Sequence, residues 1–180
     1  MIEIRLHGRG GQGVVTAAEL LAISAFSDGK YIQAFPTFGS ERMGAPVASF
    51  VRISDKNIRV RSQIYEPDYV IVQDSALIGS VDVFAGLKKD GLVLINTEKQ
   101  PSELKLKDVK NVKTIPATKI AIEILGRPIP NTVLIGAFAG LTGLVSLDGI
   151  KKAMRERFKS VEIAEKNILA AEKAYKMMRK

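Results

Sequence analysis

Apolar and polar residues alternate over residues 2–6, with Ile2, Ile4 and Leu6 set against Glu3 and Arg5, the period-two pattern of a strand with two unlike faces. After the glycines of residues 8–13 the period changes. Residues 12–27 are apolar nearly all round a helical projection, with Thr16, Glu19, Ser24 and Ser27 on one stripe, so this helix needs cover from the sheet and from a further element. Gly29 suits its C-terminal cap, and a strand follows at 31–35. Alternation at 48–53 and again at 58–61, across Asp55, Lys56 and Asn57, predicts a β-hairpin with one covered face and one wet or partner-facing face. Continuous apolar runs at 69–72 and 91–96 have the character of strands buried on both sides, with a helix over 75–88 between them. A lysine-rich, solvated connection at 97–110 leads to a shorter strand at 111–115 and a helix at 117–125 stopped by Gly126. Asn131 reads as the N-cap of a helix through 144 whose glycines and alanines permit close approach of another backbone. Ser146 and Ser160 cap the last two helices. Val161, Ala164, Ile168, Ala171, Tyr175 and Met178 recur in the final one at steps of three and four, a stripe that folds back on the same domain. The alternation of strands and helices predicts an α/β fold: a three-layer α/β/α sandwich with a largely parallel sheet and an antiparallel hairpin insert, in one domain spanning 1–180.

Four glycines fall within residues 8–13, between the first strand and the first helix, and Gly8, Gly10 and Gly13 match G-x-G-x-x-G in its required context. The helix N-terminus supplies unpaired N–H groups and the positive end of a dipole, and Arg9 adds a full charge, so the loop suits a phosphate or pyrophosphate. The same glycines would also serve close packing of strand on helix. A nicotinamide site is disfavoured, because it needs an acid at the end of the second strand. Asp28 lies in a helix stop, and strand 31–35 runs into Pro36 and Thr37. The loop at 36–46 is irregular by virtue of two prolines and two glycines. It carries Thr37, Ser40, Glu41 and Arg42 together with Phe38 and Met43, and reads as a binding loop or, more simply, as a solvated turn. Asp74, at a strand's C-terminal end, stands either where parallel sheets place ligand residues or as a helix N-cap.

Composition narrows the chemistry. Forty-six per cent hydrophobic residues in 180 suffice for a buried core. No apolar run approaches the length of a membrane span and no signal segment opens the chain, so a cytoplasmic location is expected. Without cysteine, and with His7 as the single histidine, neither a thiol nucleophile nor a cysteine-held cluster nor a multi-histidine metal site can be built. No catalytic residue and no metal ligand is expected. The net charge of +8 is concentrated in residues 151–180, which hold ten Lys or Arg against four Glu, without the motifs of a nucleic-acid module.

A phosphate loop, a ligand loop and no catalytic constellation together suggest one part of a larger enzyme. The opening Gly8-Arg9-Gly10-Gly11-Gln12-Gly13-Val14, the stretch from Gly39 through Arg52, and residues 131–147 closely resemble, in that order, the gamma subunits of 2-oxoacid:ferredoxin oxidoreductases. Among members, the opening is most similar to that of the pyruvate enzymes. The resemblance implies a complex that converts a 2-oxoacid and coenzyme A to acyl-CoA and CO2. In such a complex thiamine diphosphate and Mg sit on the alpha and beta subunits, and electrons pass through [4Fe-4S] clusters in beta and delta to ferredoxin. It also implies that the gamma chain is inactive alone, carries no cluster and is associated with coenzyme A. On this basis Gly8, Arg9, Gly10, Gly11, Gln12 and Gly13 would hold the coenzyme's pyrophosphate. Thr37, Ser40, Glu41 and Arg42 would line the ligand or the alpha-subunit contact. No nucleic-acid or membrane partner is implied.

Overall fold

The computed structural model describes residues 1–37, 43–106 and 109–179. Six strands form one sheet in the order β2-β3-β1-β4-β5-β6, namely β1 (Ile2–Arg9), β2 (Tyr31–Pro36), β3 (Pro46–Ser54), β4 (Tyr69–Val72), β5 (Leu92–Asn96) and β6 (Asn111–Ile115). β1, β4, β5 and β6 run parallel, whereas β3 is antiparallel to both β1 and β2. The α/β sandwich with a largely parallel sheet and one antiparallel insertion therefore forms as the sequence predicts.

The insertion is made by a different pair of segments from the pair expected. The hairpin partner of β3 is β2, with Tyr31 opposite Ser54 and Pro36 opposite Ser49; residues 58–61 form no strand. Both edges of β3 are already taken, by β2 and β1, so the later alternating segment has no free edge to join. It touches the outer edge of β2 through Gln33 Nε2 donating to the Val60 carbonyl at 2.9 Å.

Side-chain alternation divides the core. Ile4, Leu6, Val51, Ile53, Ile71, Leu94 and Ile115 face a layer made by α1 (Val14–Ser27), α2 (Ala117–Leu125), α3 (Asn131–Thr142), α4 (Leu147–Arg157) and α5 (Val161–Met178). Val70, Val72, Val93 and Ile95 face the other way, under Leu77 and Val83 with Phe84, Leu87, Leu104 and Leu106. β4 and β5 are thus buried on both faces, as their continuous apolar runs predict. The second layer is built from 3-10 turns and irregular chain, not from the helix expected over 75–88. Only Ser75–Gly79 is helical, as a 3-10 segment, because Gly79, Ser80, Val81, Asp82 and Val83 are poor helix formers in succession. In the supposedly solvated connection, Pro101–Leu104 forms a second such turn and Leu104 seals the small core.

Two further expectations change. Ser24 lies inside the packed layer, its hydroxyl donating to the Leu20 carbonyl at 2.7 Å, so the polar stripe of α1 is broken. The alternate face of β1 and β3, expected to be wet or to face a partner, is instead covered by the chain between β3 and β5. Arg52 is 1% exposed there; its Nε donates to Glu3 Oε1 at 2.8 Å, Nη1 to Gln33 Oε1 at 2.9 Å and Nη2 to the Gln63 carbonyl at 3.3 Å. Each nitrogen of this buried guanidinium thus has an acceptor within the protein, for three of its five N–H groups.

α3 and α5 pack through glycine. A Cβ at Gly136 would fall on the Ala171 carbonyl and one at Gly140 on that of Tyr175, so the two backbones touch, as the small-residue surface of α3 predicts. Ser146 and Ser160 cap α4 and α5 by accepting from the Gly149 and Ile163 N–H groups. Asn131 is the first residue of α3, not its N-cap, a position held by Pro130.

Candidate functional site

β1 ends in the glycine loop, which turns under the segment preceding β3. Gly10 N–H donates to the Ala45 carbonyl at 2.9 Å, and Gly44 N–H returns to the Gly10 carbonyl at 3.0 Å. Gln12 N–H donates to the Arg9 carbonyl at 3.0 Å, while the Gln12 side-chain oxygen accepts from Arg9 N–H at 2.8 Å. Gly11 and Gly13 sit at φ of 92° and 72°, the left-handed region that side chains with a Cβ avoid, and Gly13 is the N-cap of α1. Gly8 is a packing glycine: a Cβ there would meet Val14 Cγ2 at 2.5 Å, so the packing role anticipated for these glycines applies at this position.

These bonds divide the loop's donors. The Gly10 and Gln12 N–H groups are engaged within the protein. Those of Gly11 and Gly13 have no acceptor among the described residues, and with the first turn of α1 they form an N–H cluster at the positive end of a 14-residue helix. Arg9 is also engaged: Nε donates to Asp74 Oδ2 at 2.7 Å and Nη1 to the Gly44 carbonyl at 3.0 Å. Of the two roles foreseen for Asp74, the structure shows the cap: Oδ1 accepts from Ala76 N–H of the 3-10 turn at 3.0 Å. Burial pushes the Asp74 carboxyl up, but the Arg9 and Ala76 donors, the Arg9 charge and Gln12 outweigh it, and its pKa lies below the ordinary value.

Two clefts flank the loop. One, of about 450 Å³, opens beside Gly11 and Gly13 and is walled by Thr16, Asn131, Asn167, Phe158 and three cations, Arg127, Arg157 and Lys166. Asn131 Nδ2 lies 3.4 Å from the Gly13 carbonyl, which ties the start of α3 to the loop. The other cleft, of about 730 Å³, lies on the far side of Gln12, over the C-terminal ends of β4 and β5. Its floor is Gln73, Asp74 and Asn96, with Asn96 Nδ2 donating to the Gln73 carbonyl at 2.8 Å and to Thr118 Oγ1 at 2.7 Å.

Of the expected site residues, Gly8 through Gly13 converge on this place. Thr37 stands at the end of β2 with its hydroxyl donating to the Ala48 carbonyl at 3.0 Å, so its donor proton is spent on the strand pair. Ser40, Glu41 and Arg42 lie outside the described residues. Missed by the sequence reading were Arg127, Arg157 and Lys166, which line the cleft beside the loop from more than 100 residues away with no local pattern to mark them, and the place of Asn131 against Gly13.

No group of three His, Cys, Asp or Glu suited to a metal occurs among the described residues, nor does any described helix have the length and apolarity to cross a membrane. His7 is buried on the opposite face of the sheet from the helices, its Nε2 accepting from Arg5 Nε at 3.0 Å. Burial and the Arg5 charge lower its pKa to about 4, against a raising influence from Asp82, so the imidazole is neutral at physiological pH.

Residues 3–177 match the family described as pyruvate ferredoxin/flavodoxin oxidoreductase. Pyruvate synthase subunit PorC of Methanocaldococcus jannaschii is 59% identical over 180 residues, covering 100% of this chain and 98% of that one. The pyruvate/ketoisovalerate oxidoreductases common subunit gamma of Pyrococcus furiosus is 56% identical, covering 97% and 96%. Among solved structures, pyruvate oxidoreductase subunit PORC from Thermotoga maritima superposes with a TM-score of 0.86 at 37% identity, covering 97% of this chain and 95% of that one.

Proposed function

The chain belongs to the pyruvate ferredoxin/flavodoxin oxidoreductase family, and we propose that it is the gamma subunit of a multi-subunit pyruvate:ferredoxin oxidoreductase. In this reading the complex forms acetyl-CoA, CO2 and reduced ferredoxin. Thiamine diphosphate, Mg and the iron–sulfur clusters reside on the alpha, beta and delta subunits, and the present chain contributes assembly surface and a contact to coenzyme A. The observation that carries the coenzyme contact is that Gly11 and Gly13, whose N–H groups have no acceptor among the described residues, border a cleft with Arg127 and with Lys166 and Arg157, the last two paired with Glu162 at 2.7 Å and Glu19 at 3.5 Å. A pyrophosphate needs that combination of backbone donors, helix dipole and mobile positive charge. The chain's own work is to bind and orient.

The contact is tested in the assembled complex. Gly13→Asp is unsuitable as a test, because a Cβ at Gly13 falls on the Asn131 amide and loss of folding would mimic loss of binding. Arg127 is exposed and therefore replaceable. With Arg127→Glu, KM for coenzyme A should rise roughly tenfold or more, the equivalent of one charge-assisted contact, while KM for the 2-oxoacid stays unchanged. Lys166→Glu, at an exposed position lining the same cleft, should act in the same direction. Unaltered KM for coenzyme A in both variants would refute the contact.

The Pyrococcus relative, named as common to two oxidoreductases, favours a second reading in which the chain serves a ketoisovalerate enzyme as well. Affinity isolation of the tagged chain, with ferredoxin-linked assays on pyruvate and on 2-ketoisovalerate, separates the two. One set of partners with pyruvate activity alone supports the first; two sets with both activities support the second.

A further inference from the structure

Arg9 was assigned from sequence to the ligand, yet its position argues for other work. Its Nε is held by Asp74 at 2.7 Å and its Nη1 by the Gly44 carbonyl at 3.0 Å, and the two side chains of the ion pair are 32% and 21% exposed. Arg9 lines neither cleft, whereas Asp74 lines the larger one, away from Arg127, Arg157 and Lys166. The Asp74 carboxylate joins two segments at one point. Oδ2 receives Arg9 Nε and, at 3.4 Å, Gln12 Nε2 from the glycine loop, while Oδ1 receives Ala76 N–H from the turn after β4. Through Arg9 Nη1 the same pair reaches the turn at residues 43–45, which itself holds Gly10 by two backbone bonds.

We propose that Asp74 and Arg9 are positioning residues, a clamp that fixes the glycine loop so that the Gly11 and Gly13 N–H groups face the cationic cleft, and that Arg9 is not a ligand for the anion. The proposal rests on the coenzyme A reading for its functional consequence and on the loop's geometry alone for the clamp. The physical reason is charge. An arginine neutralised by a carboxylate 2.7 Å away adds little attraction for a phosphate, and the carboxylate itself would repel one. A loop with two residues at positive φ needs outside bonds to stay in one conformation, because such residues are usually the flexible ones.

The two roles predict opposite signs for one substitution. Asp74→Asn keeps an acceptor for Ala76 N–H and removes the charge that binds Arg9. If the pair is a clamp, Asp74→Asn and Arg9→Gln each raise KM for coenzyme A in the complex by about tenfold. The double variant is then no worse than the poorer single one, since both remove the same interaction. Saturating coenzyme A restores most of kcat, and the salt dependence of KM stays that of the parent complex. If Arg9 instead meets the anion, Asp74→Asn lowers KM by freeing it and Arg9→Gln flattens the salt dependence; either result overturns the proposal. Amide hydrogen exchange of the complex without coenzyme A gives a readout independent of the ligand. Faster exchange across residues 10–13 in both variants supports the clamp, and unchanged exchange overturns it. Should Arg127→Glu and Lys166→Glu leave KM untouched, the coenzyme reading falls by itself and exchange alone decides the clamp.

Discussion

Replacing Gly136 by valine is expected to be strongly destabilising. The site has no room: an added Cβ falls on the Ala171 carbonyl of α5, so two helices joined along their length must separate. Overpacking at a backbone contact cannot be relieved by turning a side chain, and a loss of about 3 kcal/mol or more is expected. For a chain of this size that corresponds to a fall in Tm of roughly 10 °C. Gly79→Ala is the matched control. Gly79 has nothing near its added Cβ and an ordinary φ, so this variant should stay within about 0.5 kcal/mol of the parent. Thermal unfolding of the three proteins checks the argument, and equal melting of Gly136→Val and Gly79→Ala would defeat it.

The second large effect is acid sensitivity from one buried imidazole. His7 has a folded pKa of about 4 against 6.5 for the free side chain, chiefly through burial and secondly through the Arg5 charge. Below pH 6.5 the unfolded chain takes up a proton that the folded chain refuses, so stability falls as pH drops from about 6.5 to about 4 and then levels for this group. The full span amounts to about 3 kcal/mol. Because the sequence contains one histidine, its imidazole resonance needs no assignment. Titration of the folded protein should place its midpoint near pH 4, and denaturant unfolding at pH 7 and pH 4.5 should differ in the stated direction. A midpoint at 6 or above would show that the site is open to water. In His7→Gln, which keeps an acceptor for Arg5, the dependence between pH 6.5 and 4.5 should shrink toward that of the carboxylates alone.

His7 also shows how far pattern reading goes. Its place in a strand is plain from the alternation of residues 2–6, but that its alternate face is buried is not. Arg5, His7 and Arg52 look like surface residues because charge ordinarily stays in water. They are inside because chain between β3 and β5 passes over them and offers carbonyls: Arg5 donates to Val83 at 3.1 Å and Ala85 at 2.6 Å, and Arg52 to Gln63. The hairpin error has the same origin. Alternation marks residues 58–61 as strand-like, but hydrogen-bonding edges are a property of the sheet, and β2 had already claimed the one beside β3.

At the site the division is just as clear. The glycine loop was legible because its requirement is local: φ values near 92° and 72° between a strand and a helix can be met by glycine at Gly11 and Gly13 and by few other residues. The family motifs were legible for the same reason, each being a contiguous run. The engagement of Arg9 by Asp74 across 65 residues, and the arrival of Arg127, Arg157 and Lys166 beside Gly11 and Gly13, were not.

What the sequence by itself determined is therefore the set of elements, the doubly buried strands β4 and β5, the glycine contact surface of α3, the capped final helices, and the turn that opens α1. Each follows from periodicity or from a backbone constraint acting over a few residues. Only the tertiary structure decided which strand edges pair, which charged residues are buried, and which side of the glycine loop is cationic. Those depend on groups brought together by chain folding, whose energies are set by desolvation and by distances that no local pattern contains.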